Sequence, residues 1–138
     1  MKKLLILLFS FLIPFNSYGE WEQVVESTDG NIFHIDKNTI KKHEGYVYWW
    51  EMVSYEKPYN PYEGTLDKFN GTMSSKYYRM GDCGVVRYKE LSLTYYTQQM
   101  GGGEGKSDPI TGILDSWEYP PPDTTDGFML DYVCDYVD

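Results

Sequence analysis

The residues of this 138-residue chain with the most chemical potential are a glycine-rich run, two histidines, several carboxylates and a small group of cations. Gly101-Gly-Gly-Glu-Gly-Lys-Ser107 ends in Gly-Lys-Ser, as a phosphate-binding loop does. Such a loop needs a glycine five residues before its last one, and that position is Met100. Asp108-Pro109 follows where a helix should open, and Glu104 would repel phosphate. The run therefore reads as a hairpin or bulge connection. His34 sits beside Phe33 in a strand-like segment and His43 in a polar turn. Neither belongs to a Gly-x-Ser-x-Gly elbow or a helical His-x-x-x-His pair. Asp131 and Asp135 stand one helical turn apart with Asp138 beyond them. No calcium-loop pattern surrounds them, so they read as a solvated acidic face. The spatial separation of carboxylates, on which glycosidase chemistry depends, is not legible in a sequence. A small hydrolase would require a pocket with converging carboxylates or a histidine.

Lys76, Arg79, Arg87 and Lys89 form the one basic concentration on two adjoining strand-like segments. Strand parity places Arg87 and Lys89 on one face and separates Lys76 from Arg79. They read either as contacts for a partner or as salt bridges to neighbouring acids. Tyr59 and Tyr62 lie in a proline-rich segment and are the expected exposed aromatics for a protein partner; the other reading is that they lid the sheet. No residue is assigned a catalytic, cofactor-binding or metal-binding role.

The elements that would position these groups are mostly strands. Residues 21–26 and 32–35 flank a turn cluster containing Asp29-Gly30, which reads as a hairpin. Residues 36–43 are polar and short, with room for one or two helical turns. Residues 46–55 are dense in aromatic and β-branched residues. Alternation puts Tyr46, Tyr48, Trp50 and Met52 on one face and Val47, Trp49, Glu51 and Val53 on the other. Neither face is plainly polar, so both are expected to be partly covered. Residues 56–72 read as a long exposed loop, in which Asn70-Gly-Thr72 is a glycosylation acceptor only in a eukaryotic secretory route. Residues 74–82 and 85–97 read as two more strands, and Trp117-Glu-Tyr119 as a short strand or aromatic plug. Pro120-Pro-Pro122 excludes helix and central strand, and Asp123, Thr124 or Thr125 can cap a helix beyond it. Phe128, Met129, Tyr132, Val133 and Tyr136 recur at helical spacing, predicting an amphipathic C-terminal helix. The expected fold is α+β: an antiparallel sheet of about five or six strands with a C-terminal helix packed on one face.

Met1-Lys-Lys3, the apolar run 4–13 and the small residues Ser17 and Gly19 form the pattern of a cleavable signal peptide over residues 1–19. The domain expected after it is 20–138. The apolar run is shorter than the roughly 20 residues needed to span a bilayer. No cysteine near the cleavage site can accept a lipid, so the expected location is periplasmic, cell-surface or secreted. Residues 1–19 contain Lys2, Lys3 and no acid, leaving ten basic and 21 acidic side chains, a charge of −11. That balance argues against nucleic acid and anionic membranes and is compatible with a basic protein partner. Cys83 and Cys134, the two cysteines, read as one disulfide in an oxidising compartment, with free thiols or metal ligation as the alternative. The bridge would pin the last helix to the turn at 82–84.

Several segments occur in an order similar to one family. They are Gly30-Asn31, Ile35-Asp36 and Ile40, then 47–55, Ser74-Ser-Lys76 and Tyr78, Asp82-Cys83, Arg87-Tyr88, Gly101 and Gly103. Trp117, Tyr119-Pro-Pro-Pro122, Asp123-Thr-Thr125 and Val133-Cys134 complete the set. Over about residues 21–136 the chain resembles the surface-adhesin protein E family of Gram-negative bacteria. The resemblance implies a disulfide-held helix on an antiparallel sheet, with Cys83 and Cys134 at the matching positions. It also implies non-enzymatic adhesion to host matrix or plasma proteins, and a homodimer. The unpolarised 46–55 strand and the edges of an open sheet suit pairing with a second copy. The departure is that the type member looks like a lipoprotein, and no lipid-accepting cysteine is present here.

Overall fold

The computed structural model describes residues 20–113 and 116–138; the expected signal segment lies outside the described residues. The strands are β1 (Trp21–Glu26), β2 (Ile32–Asp36), β3 (Lys41–His43), β4 (Tyr46–Tyr59), β5 (Thr72–Asp82), β6 (Arg87–Tyr96) and β7 (Gly105–Ser107). One α-helix comes after them, α1 (Thr125–Val137). The strands form a single antiparallel sheet in the order β1-β2-β4-β5-β6-β7, with β3 also paired to β4. This is the expected α+β arrangement, enlarged by the three-residue strands β3 and β7.

Asp29-Gly30 turns β1 into β2, and Gly30 uses its freedom at φ +85°. Segment 36–43 makes one 3-10 turn, Lys37–Thr39, which Asp36 caps by accepting from the Asn38 N–H at 3.1 Å. The remainder becomes β3 rather than a second helical turn, because Lys41 to His43 pair with Tyr48 to Tyr46. β4 alternates as predicted. Val47, Trp49, Glu51 and Val53 are buried beneath the helix side, while Tyr46, Tyr48 and Trp50 on the opposite face are half-buried.

The expected loop at 56–72 is corrected in two places. β4 runs on to Tyr59, and a 3-10 turn at Asp67–Phe69 buries Phe69. Phe69 packs with Leu93 and Tyr95, joined by Tyr62 and Leu66, in a second small core. An apolar anchor amid the proline and glycine signals explains why the segment folds back onto the sheet. The glycine-rich run is a clamp on the face away from α1. The N–H groups of Met100 and Gly101 donate to Ser54 Oγ and Ser74 Oγ, both at 2.8 Å. β6 and β7 then form the expected hairpin.

Thr124 caps α1, its hydroxyl accepting from the Gly127 N–H at 3.2 Å. The predicted stripe is rotated. Met129, Leu130 and Val133 are buried, whereas Phe128 and Tyr136 are 45% and 52% exposed. The Cys83–Cys134 bridge, with Cα atoms 5.7 Å apart, turns the Cys134 side of the helix toward the sheet. The buried trio meets Ile35, Ile40, Val47, Trp49 and Tyr88. Full burial of such a side chain stabilises by about 1.5–3 kcal/mol.

Candidate binding site

The sheet presents two faces with opposite chemistry. On the helix face, α1 covers only part of β4 and β5. Beyond its N-terminus a cavity of about 640 Å³ opens, floored by Phe33, Val53, Tyr55 and Tyr77. Arg79 closes one end of it, with a side chain only 6% exposed. Nη1 of Arg79 donates to Glu51 Oε1 and Asp126 Oδ1, and Nη2 donates to Glu90 Oε1, each at 2.9 Å. The guanidinium carbon lies 4.6 Å from the ring centres of both Tyr77 and Tyr88. Four elements build this cluster: β4, β5, β6 and the first turn of α1. Glu51 also accepts from Trp49 Nε1 at 3.0 Å.

Burial pushes the Glu51 and Glu90 carboxyls up, against the pull of Arg79. Burial alone would lower Arg79, but Glu51, Asp126 and Glu90 outweigh it and hold the guanidinium well above its ordinary value. The group is thus an excess of carboxylate gathered around one permanent cation. It contains the converging carboxylates that a hydrolase would require. However, Glu51 is 1% exposed, and Arg79 engages all three carboxylates.

The opposite face carries aromatics and cations. Trp50 and Tyr48 flank Tyr78 at ring distances of 4.9 and 6.1 Å. Lys76 Nζ lies 5.6 Å from the Trp21 ring and 5.0 Å from the Tyr96 ring. Arg87 and Lys89 both stand over Trp117, at 4.0 and 4.7 Å, and Trp117 contacts Tyr46 at 5.7 Å. Register explains the sharing of a face: Met80 pairs with Lys89, Asp82 with Arg87, and Lys76 with Thr94. α1 packs on the other face; here the 3-10 turn Lys37–Thr39 reaches Trp50, whose backbone N–H donates to Thr39 Oγ1 at 3.0 Å.

The structure keeps Arg87 with Lys89 and separates Lys76 from Arg79, as parity predicted, and the strand register adds that Lys76 shares the face of Arg87 and Lys89. Arg87 also donates to Asp82 at 3.1 Å. Tyr59 is 43% exposed and stands at the rim of the cavity beside Tyr55, at a ring distance of 4.8 Å. Tyr62 is not the exposed contact expected: it is half-buried, and its hydroxyl donates to Asp108 at 2.6 Å. Trp117 to Tyr119 supply a single bridge, Tyr88 to Glu118, with Trp117 as the plug. Glu51, Glu90 and Asp126 were not singled out from the sequence. The available signal was Glu51, an acid inside an aromatic strand, which must find a cation if it is buried.

The family described as surface-adhesin protein E matches residues 21–135. The chain belongs to that family. Crystal form II of Haemophilus influenzae protein E is 17% identical with a TM-score of 0.65, over 86% of this chain and 90% of that one. Another structure of the same protein gives 17% identity and TM-score 0.62 over 83% of each chain. Protein E from non-typeable Haemophilus influenzae gives 17% and 0.61, over 88% of this chain and 80% of that one. At this identity the likeness establishes the fold. No curated protein matches the chain in sequence. The family implies an exported or cell-surface protein. No described helix is long and apolar enough to cross a membrane.

Proposed function

We propose that this protein is an exported, non-enzymatic attachment domain that binds a host matrix or plasma protein through the sheet face opposite α1. The observation that carries this reading is the row Trp50–Tyr78–Tyr48, left open beside Lys76, Arg87 and Lys89. Aromatic and arginine side chains at the centre of a surface supply most of the affinity of protein contacts. Family membership supports adhesion as the purpose of that surface. The structure is of one chain, and nothing in it supports the homodimer that the resemblance implied.

A hydrolase would have to work in the carboxylate cavity. We place it last, behind a periplasmic accessory role, because Arg79 pairs with the groups that would act as acid and base. The test is capture of matrix and plasma proteins by the intact protein, beside Tyr48→Ser and Tyr78→Ser. Loss of a contact at the centre of an interface should weaken capture roughly 30-fold or more. Protease treatment of intact cells should also cut the protein. If it stays uncut and captures only envelope components of its own bacterium, the adhesin reading gives way to a periplasmic accessory role.

A further inference from the structure

The cavity on the helix face has no part in that reading, yet it has the marks of a ligand site. Its 640 Å³ falls within the range of small-molecule sites, about 300–1,000 Å³. Tyr55, Tyr59 and Tyr77 give it aromatic faces among charged side chains. Asp29, Glu90, Glu118 and Asp126 line it, and Glu51 lies behind Arg79. Only Arg79 and Lys57 oppose these five carboxyls. Glu90 and Asp126 keep 27% and 40% of their side-chain surface exposed.

We propose that this cavity binds an organic cation, an alkylammonium or alkylguanidinium, with Glu90 and Asp126 as its counter-charges and Tyr55, Tyr59 and Tyr77 against its methylenes and charge. Glu90 and Asp126 each meet Arg79 through one oxygen, Oε1 and Oδ1, and an anion is disfavoured because five carboxyls outnumber Arg79 and Lys57. Among the described residues no set of three or more side chains is arranged for a metal ion. Tyrosine faces attract ammonium and guanidinium groups. A charge of −11 over residues 20–138 draws cations toward the molecule. The shared chemistry is that of a lysine or arginine side chain on a partner and of a free polyamine.

The test is an NMR titration of the intact, disulfide-bonded protein with n-butylammonium, and with 1-butanol as the uncharged match in shape. The ammonium should shift resonances of Tyr77, Glu90 and Asp126 saturably, and butanol should not. Asp126→Asn and, separately, Glu90→Gln should each weaken binding roughly tenfold or more, the loss expected of one charged hydrogen bond. The comparison of ammonium with butanol on the unaltered protein stands even if a variant does not fold. A lysine blocked at both ends and a free diamine separate the two sources. Tighter binding of the blocked lysine assigns the site to a partner's side chain, and binding of the diamine alone assigns it to a polyamine. Equal shifts from butanol, or no saturable shift with the ammonium, overturn the proposal. Neither outcome touches the opposite face, so capture of a host protein can fail or succeed independently.

Discussion

Asp108 shows how one carboxylate can hold a segment in place. Its Oδ2 accepts from the hydroxyls of Tyr62 and Tyr95, both at 2.6 Å. Its Oδ1 accepts from the N–H groups of Ile110 and Thr111 at 2.8 Å. Burial alone would raise this carboxyl, but the tyrosine hydroxyls and then the two N–H groups outweigh it and hold it at about 2. The folded value lies below the unfolded one of about 3.9, so the contribution to stability is present above pH ~4 and is lost as pH falls through 2. Asp108→Asn should cost about 2–3 kcal/mol at pH 7, as charged hydrogen bonds to buried hydroxyls are removed. Urea denaturation of both proteins from pH 6 downward checks this. The gap should narrow as the pH approaches 2, and a gap independent of pH would contradict the assignment. Arg79 is the other residue on which much depends, since it joins three strands to the helix.

At the scale of elements, α1 can approach the sheet because β5 has no side chain at Gly81. A Cβ there would lie 2.9 Å from both Leu130 Cδ1 and Trp49 Cζ3, and 3.1 Å from Val47 Cγ1. None of these can easily give way, because all three residues are buried. Gly81→Ala should therefore destabilise by about 1–3 kcal/mol, the usual cost of overpacking a core. A thermal melt that does not move would show that the helix has slack the structure does not reveal. The pairing of β5 with β6 is interrupted once: Tyr78 faces Ser92 while Arg79 faces Glu90. The extra residue, Leu91, is a β-bulge, and it switches which alternate residues of β6 face the helix side. Tyr88 and Glu90 before it, and Leu93 and Tyr95 after it, all share that side. Without the bulge, Glu90 could reach Arg79 only if Leu93 and Tyr95 turned away from Phe69.

For the whole molecule, the bridge between Cys83 and Cys134 spans a sequence separation of 51. Constraining a loop of that size in the unfolded chain stabilises by about 4 kcal/mol in the chain-entropy model. Replacing both cysteines by serine should lower stability by that order in guanidinium denaturation. An unchanged midpoint would mean that α1 docks by its apolar face alone. The sequence by itself determined the strand-rich order, the alternation in β4, the separation of Lys76 from Arg79, a helix cap within residues 123–125 and the pairing of the two cysteines. Each of these rests on local periodicity, turn chemistry or a count of two. Only the tertiary structure decided the rotation of α1, the half-burial of Tyr62, the burial of Phe69, and the meeting of Glu51, Glu90 and Asp126 on Arg79. The physical reason is that these depend on register across strands distant in sequence, on one bulge, and on a covalent bond that fixes the rotation of the helix.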